Sequence, residues 1–442
     1  MRSKQSKRIP KTVYQCFGCD DVKKKKLVEK AMERINKTLN RPDLPELVRK
    51  KGSKGFVRSR QLTGKRLAIL ILSGIRLPLQ LATDALFKAI GCAEESVSKQ
   101  AVSKARSDFD PDFVKSCFTD LVKEGVSCSD MELFKGKYRL CAIDGSDVAL
   151  DNAPALKEEF GCSGRAKSAT TAMASIAYDP LNNWILDASL SPYKTSERTA
   201  AKEHIAAVSA LDSKKNLFIL DRGYPSREFM AELIEARHKF VMRVRRKFSL
   251  DFDDVGQDEK VVFVWAEKSY RVRVIKVELP SGEIETLVTN LSSKTFPTGE
   301  AGALYFQRWA IETKFDSLKN RLALENMSGR RPVTVYQDFW ATMYIANIFA
   351  ALQYRTDDVI SAKTEGSGNK HAQKTNETRL IKKFRDQFIE CLIESRASKR
   401  CRLFDALIND IVRDTTEIKP GRSSPRKIPR DMRFHDRRKA VL

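Results

Sequence analysis

Apolar positions change their period several times along the chain, and the changes divide it. Leu27, Ala31, Ile35 and Leu39 recur every four residues and predict one helix inside an otherwise basic arm, residues 1–60. The period stays helical through residues 65–109: residues 81–90 read as one helix, Gly91 breaks it, and Ser96 or Ser98 can cap a second helix carrying Gln100, Val102, Ala105 and Phe109. Helical character continues to about residue 133. KYRLCAIDGSDVAL then takes the period of a strand, predicted to end in a turn at Asp144-Gly145. Two β-like runs, residues 169–178 and 184–190, are joined by DPLNN and predict a hairpin. Residues 197–211 read as a helix, and residues 216–220, NLFIL, as a short buried strand running into Asp221-Arg222-Gly223-Tyr224.

Beyond Arg222 the pattern changes again. After a short helix over 227–237, residues 239–245, 261–265, 270–278 and 285–290 alternate or are β-branched, which predicts an inserted, mainly β subdomain over 222–299. Trp265 in that segment is either buried or free to stack on an unpaired base. The helix at residues 305–319, YFQRWAIETKFDSLK, follows. At ~100° per residue Tyr305, Arg308, Glu312 and Lys319 fall within an arc of roughly 60°, and Leu304, Ile311, Phe315, Leu318 and Leu322 form an apolar stripe about a quarter turn away. Any amphipathic helix has a charged face, so the stripe alone assigns no chemistry. Residues 333–354 are apolar but interrupted by Gln337, Asp338 and Asn347, which predicts a buried helix and not a membrane span. A polar linker over 361–377 and a helical region with a basic tail over 378–442 complete the division.

Charge adds a partner to this outline. In 442 residues, 81 Lys and Arg stand against 57 Asp and Glu, a net +24 that suits a polyanion such as DNA or RNA. The two helices around Gly91 have a helix-turn-helix outline, and Lys99, Gln100, Ser103, Lys104 and Arg106 supply a polar face suited to base edges and phosphates, so residues 61–133 are read as a helical DNA-binding region. The start, MRSKQSKRIPKTVY, lacks the apolar core of a secretory signal, which predicts a cytoplasmic chain. Of nine Cys only Cys16 and Cys19 form a close pair, and only four His are present, which argues against structural zinc.

Asp144 and Asp221 each follow an apolar strand, and the carboxyl ends of strands in an α/β sheet are where ligand sites open. The order of strand with Asp, hairpin, helix and strand with Asp resembles a ribonuclease-H-like core. The predicted class is therefore α/β: a ribonuclease-H-like catalytic core in two parts, 134–221 and 300–360, interrupted by the β-rich insertion, with helical N-terminal and C-terminal regions. Asp144, Asp221 and Glu312 are the candidate ligands for two-metal phosphoryl transfer, and the shortage of His fits oxygen ligation of Mg²⁺ or Mn²⁺. Singly, either Asp also reads as a turn residue or helix cap. Asp147 and Glu197 read as solvated surface acids or as alternative carboxylates.

IDGSDVAL around Asp144, DRGYPSREF around Asp221 and the Y-x₂-R-x₃-E-x₆-K pattern at Tyr305, Arg308, Glu312 and Lys319 resemble the DDE transposases of the insertion-sequence-four group. The resemblance implies that Asp144, Asp221 and Glu312 hold two Mg²⁺ ions, with Mn²⁺ as substitute. It further implies that Tyr305, Arg308 and Lys319 hold phosphates of the transposon end, with Arg222 among the DNA contacts and Trp265 as the aromatic at a flipped base. Such a protein works as a homodimer on terminal inverted repeats and target DNA, cleaving with water, with a hairpin as an optional intermediate, and then joining a 3′-hydroxyl to the target. That implies a nucleoid-associated protein without a membrane partner. A domesticated DNA-binding protein with the same fold and no catalysis is the rival reading, and a stand-alone nuclease is a third.

Overall fold

Six helices open the chain: α1 (Leu27–Leu39), α2 (Leu44–Leu47), α3 (Gly64–Leu72), α4 (Leu79–Ala89), α5 (Lys99–Asp108) and α6 (Pro111–Ser127). The computed structural model describes residues 27–418 apart from 59, 76, 128–130, 165–168, 213, 247, 280–281 and 366–370. The basic stretches 1–26 and 419–442, with Cys16 and Cys19, lie outside the described residues. The helix-turn-helix outline forms where expected, with Ser98 capping α5 by accepting from the Ala101 N–H. Helix α1 does not lie in an arm: Leu27, Ala31, Ile35 and Leu39 are all buried in the main core.

The centre is one mixed sheet. Strand β1 (Tyr138–Ala149) is followed by α7 (Pro154–Phe160), the short β2 (Cys162–Ser163), the hairpin β3 (Ala169–Asp179) and β4 (Trp184–Pro192), α8 (Glu197–Ser209), β5 (Lys215–Leu220), α9 (Arg227–Glu235) and β6 (Lys239–Val244). Next come α10 (Leu250–Asp253), β7 (Asp258–Trp265), β8 (Lys268–Glu278) and β9 (Ile284–Thr289). Strand order is β2-β3-β1-β5-β6-β9-β8-β7, with β4 on β3. β1 pairs antiparallel with β3 and parallel with β5, and β5 pairs parallel with β6. Leu140, Cys141, Ala142 and Ile143 of β1, and Leu217 to Leu220 of β5, are fully buried, as a central parallel pair covered on both faces requires.

Two expectations change here. β1 does not end at Asp144-Gly145 but continues to Ala149. Its parallel neighbour stops at Leu220, opposite Ile143, while its antiparallel neighbour β3 keeps pairing as far as Ala149↔Thr171. The 222–299 segment forms no sheet of its own: β6 continues the parallel run, and β9, β8 and β7 extend the same sheet.

Helices α11 (Ala301–Phe306) and α12 (Trp309–Asp316) follow, then a π turn over Ser317–Arg321. Ala301, Leu304 and Tyr305 of α11 cover one face of the sheet together with Leu291 and Phe296. The other face carries the main core, to which α8, α9, α12 and the N-terminal helices contribute. Through it runs α13 (Pro332–Thr364), whose buried Asn347 side chain accepts from Ile185 N and donates to Ile185 O, both at 2.9 Å. Among the described residues no helix is long and apolar enough to cross a membrane. The predicted linker is partly ordered into elements: α13 reaches Thr364, and β10 (Gln373–Thr375) pairs with β11 (Thr415–Glu417) across α14 (Glu377–Ile393) and α15 (Ala397–Ile411).

Candidate active site

Asp144 is the first β1 residue beyond the end of β5, and Asp221 is the first residue after β5, so adjacent parallel strands deliver both carboxylates to one place. Glu312 arrives from α12. The three are linked through the α11–α12 segment. An Arg308 Nη lies 3.6 Å from Asp144 Oδ2, its other Nη donates to Glu312 Oε1 at 2.8 Å, and Tyr305 Oη donates to Asp221 Oδ1 at 3.3 Å. The guanidinium also lies over the rings of Tyr305 and Trp309, 5.9 and 5.6 Å from their centroids.

The predicted single helix is broken. Gln307 and Arg308 N–H groups bond to Leu304 and Tyr305 carbonyls in a tighter turn between α11 and α12, and the π turn widens the chain at its far end. The apolar stripe survives: Leu304, Ile311, Phe315, Leu318 and Leu322 are all buried. Tyr305 and Arg308 are not an open flank. They are 3% and 5% exposed and point at the acids. Lys319 Nζ donates to the Asp147 carbonyl at 2.5 Å, with Glu325 at 3.9 Å, so it is tied to β1 just past Asp144.

Burial pushes the Asp144 carboxyl up to about 6; Arg308 and the Gly145 N–H pull it down, while Asp221 and Glu197 push it further up. Burial likewise raises the Tyr305 phenol, so it remains a donor. The candidate ligands Asp144, Asp221 and Glu312 offer only carboxylate oxygens, a donor set that fits Mg²⁺ or Mn²⁺. Among the described residues no three His, Cys, Asp or Glu side chains converge into a ready metal cage. The Arg308 guanidinium stands between Asp144 and Glu312 instead, a cation supplied by the chain where carboxylates need one.

Outside this centre the expectations divide. Lys99, Gln100 and Lys104 are exposed on α5. Arg106 is not a groove-reading residue: it is 1% exposed, donates to Gln337, Ser328 and the Thr334 carbonyl, and pairs with Asp338 at 2.9 Å, so it rivets α5 to α13. Arg222 is exposed and opens onto a groove of about 1180 Å³ that Arg243, Arg245, Arg246 and Lys276 also line. Arg243 is already paired with Glu283 and Glu285, and Lys276 with the carbonyls of Asp253 and Val255. Trp265 is 42% exposed at the β7–β8 hairpin tip, four strands from β5. At ~4.8 Å per strand that is roughly 19 Å sideways, too far for contact with these acids.

Two further residues join the centre: Glu197, read from the sequence as a surface acid or an alternative carboxylate, and Tyr224, which the sequence pattern did not single out. Glu197 starts α8, where an acid reads as an ordinary first-turn residue. Tyr224 follows Asp221 in DRGY; its hydroxyl is buried, has no hydrogen-bond partner, and lies within electrostatic reach of Asp144, Glu197 and Asp221.

Residues 135–348, which contain all three predicted acids, match the family model of the transposase DDE domain. Among solved structures, a piggyBac transposase seen by cryo-EM in a synaptic complex with hairpin DNA superposes with a TM-score of 0.44 at 12% identity, over 90% of this chain and 86% of that one. No curated protein matches the chain.

Proposed function

We propose that the protein is a DNA transposase that cuts and joins DNA by two-metal phosphoryl transfer, with Asp144, Asp221 and Glu312 as the ligands. The observation that carries this reading is the convergence of Asp144 and Asp221 from neighbouring parallel strands, with Glu312 tied to Asp144 through Arg308, inside the span that matches the DDE domain. The order of the core strands, antiparallel β4-β3-β1 followed by parallel β5 and β6, supports the ribonuclease-H-like reading of the catalytic core.

Divalent ions held there would supply a Lewis acid at the scissile phosphate and a nucleophilic oxygen at neutral pH. Tyr305 aims the Asp221 carboxylate by donating to it. Arg308 bridges Asp144 and Glu312 and, once DNA is seated, would turn with Lys319 to the phosphates of the transposon end. Arg222 and the basic groove beyond it carry the flanking strand, and Lys99, Gln100 and Lys104 make α5 the groove-facing helix. The insertion-sequence-four assignment, the homodimeric synapse of two inverted repeats, the optional hairpin and strand transfer to target DNA belong to the same proposal.

Incubation with terminal inverted repeats and Mg²⁺ tests it. The wild-type chain cleaves at the repeat ends, and Asp221→Ala reduces the rate at least ~10³-fold. Robust cleavage by Asp221→Ala would overturn the assignment. Repeat binding with no cleavage by the wild type would favour a catalytically silent DNA-binding protein, and cleavage without end sequence or joining a stand-alone nuclease.

A further inference from the structure

Helix α8 is fastened under the acid centre. His204 Nδ1 is 2.8 Å from Asp187 Oδ2 on β4, and its Nε2 is 3.0 Å from Ser175 Oγ on β3, which in turn donates to the Asp144 carbonyl at 3.2 Å. Glu197 lies seven residues before His204, close to two full turns at ~100° per residue, so both fall on the face of α8 that meets the sheet. Ala200, Ala201 and Ile205, all buried, fill that face.

The carboxylate of Glu197 therefore reaches the gap between the two loops that carry the predicted ligands. A Cβ on Gly145 would sit 3.6 Å from Glu197 Oε1, and a Cβ on Gly223 3.5 Å from Oε2. Glycine follows Asp144 directly and Asp221 at two positions, and this carboxylate lies close to the backbone at both. Burial and the charges of Asp221 and Asp147 raise the Glu197 carboxyl. A second, independent observation points into the same gap. The Tyr224 hydroxyl, on a side chain 1% exposed, has no hydrogen-bond partner, and the acids around it are Asp144, Glu197 and Asp221. A hydroxyl so placed can donate to a carboxylate oxygen beside it.

We propose that Glu197 is a fourth carboxylate of the centre, a ligand to a divalent ion shared with Asp144 and Asp221, and that the Tyr224 hydroxyl is the donor that holds this carboxylate set when the ion is bound. The inference rests on the two-metal reading above. Tyr224 is a positioning residue: it acts on the ligand oxygens and not on DNA.

Mn²⁺ titration of the full chain without DNA, by calorimetry and by electron paramagnetic resonance, tests both parts. Glu197→Gln weakens Mn²⁺ binding at least ~10-fold and Glu197→Asp recovers part of it, while Glu203→Gln, exposed on the same helix, binds as wild type. Tyr224→Phe keeps or raises the melting temperature in EDTA, because no bond is lost, yet weakens Mn²⁺ binding several-fold. Wild-type Mn²⁺ affinity in Glu197→Gln, with affinity lost in Asp221→Asn, would overturn this inference and leave the two-metal reading standing. So would a Glu197→Gln chain that melts earlier in EDTA with unchanged Mn²⁺ affinity, since Glu197 would then serve only the start of α8. A wild-type chain that binds no Mn²⁺ would remove the two-metal reading and this inference together.

Discussion

With its carboxyl pushed up to about 6, Asp144 keeps its proton in the folded chain over a pH range in which the unfolded chain has already lost it. Stability therefore falls as pH rises from about 4 to about 6, and the penalty, on the order of 2–3 kcal/mol, is fully present above that window. In EDTA at pH 8 Asp144→Asn should melt a few degrees above wild type, and at pH 4 the two should coincide, as scanning calorimetry at both pH values will show. On the two-metal reading, addition of Mn²⁺ should reverse the order at pH 8, because only the wild type would bind the ion through this side chain. A bound ion would, on that reading, relieve this penalty.

At the scale of elements, the contact between α5 and α13 is carried by Arg106. Arg106→Ala leaves Asp338 as a buried charge without its main partner and should cost about 3–5 kcal/mol of stability in denaturant unfolding. Lys104→Ala should leave stability unchanged and weaken DNA binding in a mobility-shift assay. The contrast separates the two roles that a single polar helix face suggested. Elements with one clean period were legible in the sequence: β5, the β3–β4 hairpin and α8 all form within a residue or two of their predicted limits. What depends on distant partners was not. The continuation of β1 through Asp144-Gly145 is decided by β3, the burial of Arg106 by Gln337 and Asp338 more than two hundred residues away, and the edge position of Trp265 by the order of strands. The turn at Gln307-Arg308 carries neither Gly nor Pro, so no local signal marked it. Asp144 and Asp221 stood out at the ends of apolar strands, and Glu312 on the polar stripe of an amphipathic helix. Glu197 was readable as a surface acid or an alternative carboxylate and no further, since its reach into the gap depends on how α8 is pinned through His204.

For the whole molecule, charge is concentrated at the ends. Residues 1–26 hold nine Lys and Arg against two Asp, and residues 419–442 hold the same numbers, so fourteen of the net +24 charges lie in these two stretches. A chain ending at Ile418 should show a shallower dependence of DNA affinity on salt, by up to ~8 in the slope of log K against log salt, measured by filter binding between about 50 and 200 mM. Cleavage per bound complex should not change. The guanidinium between Asp144 and Glu312 has a further consequence, which is one of linkage. On the two-metal reading, an arriving ion would compete with Arg308 for oxygens of Asp144 and Glu312. A DNA phosphate that draws Arg308 away removes the competitor. On the same reading, ions and DNA would be heterotropic ligands of one another, each tightening the other by the same factor. Mn²⁺ should bind at least ~5-fold more tightly in the presence of repeat DNA, and Arg308→Ala should abolish that difference. Such a centre would, on the two-metal reading, hold its ion weakly alone and more tightly once its substrate is seated.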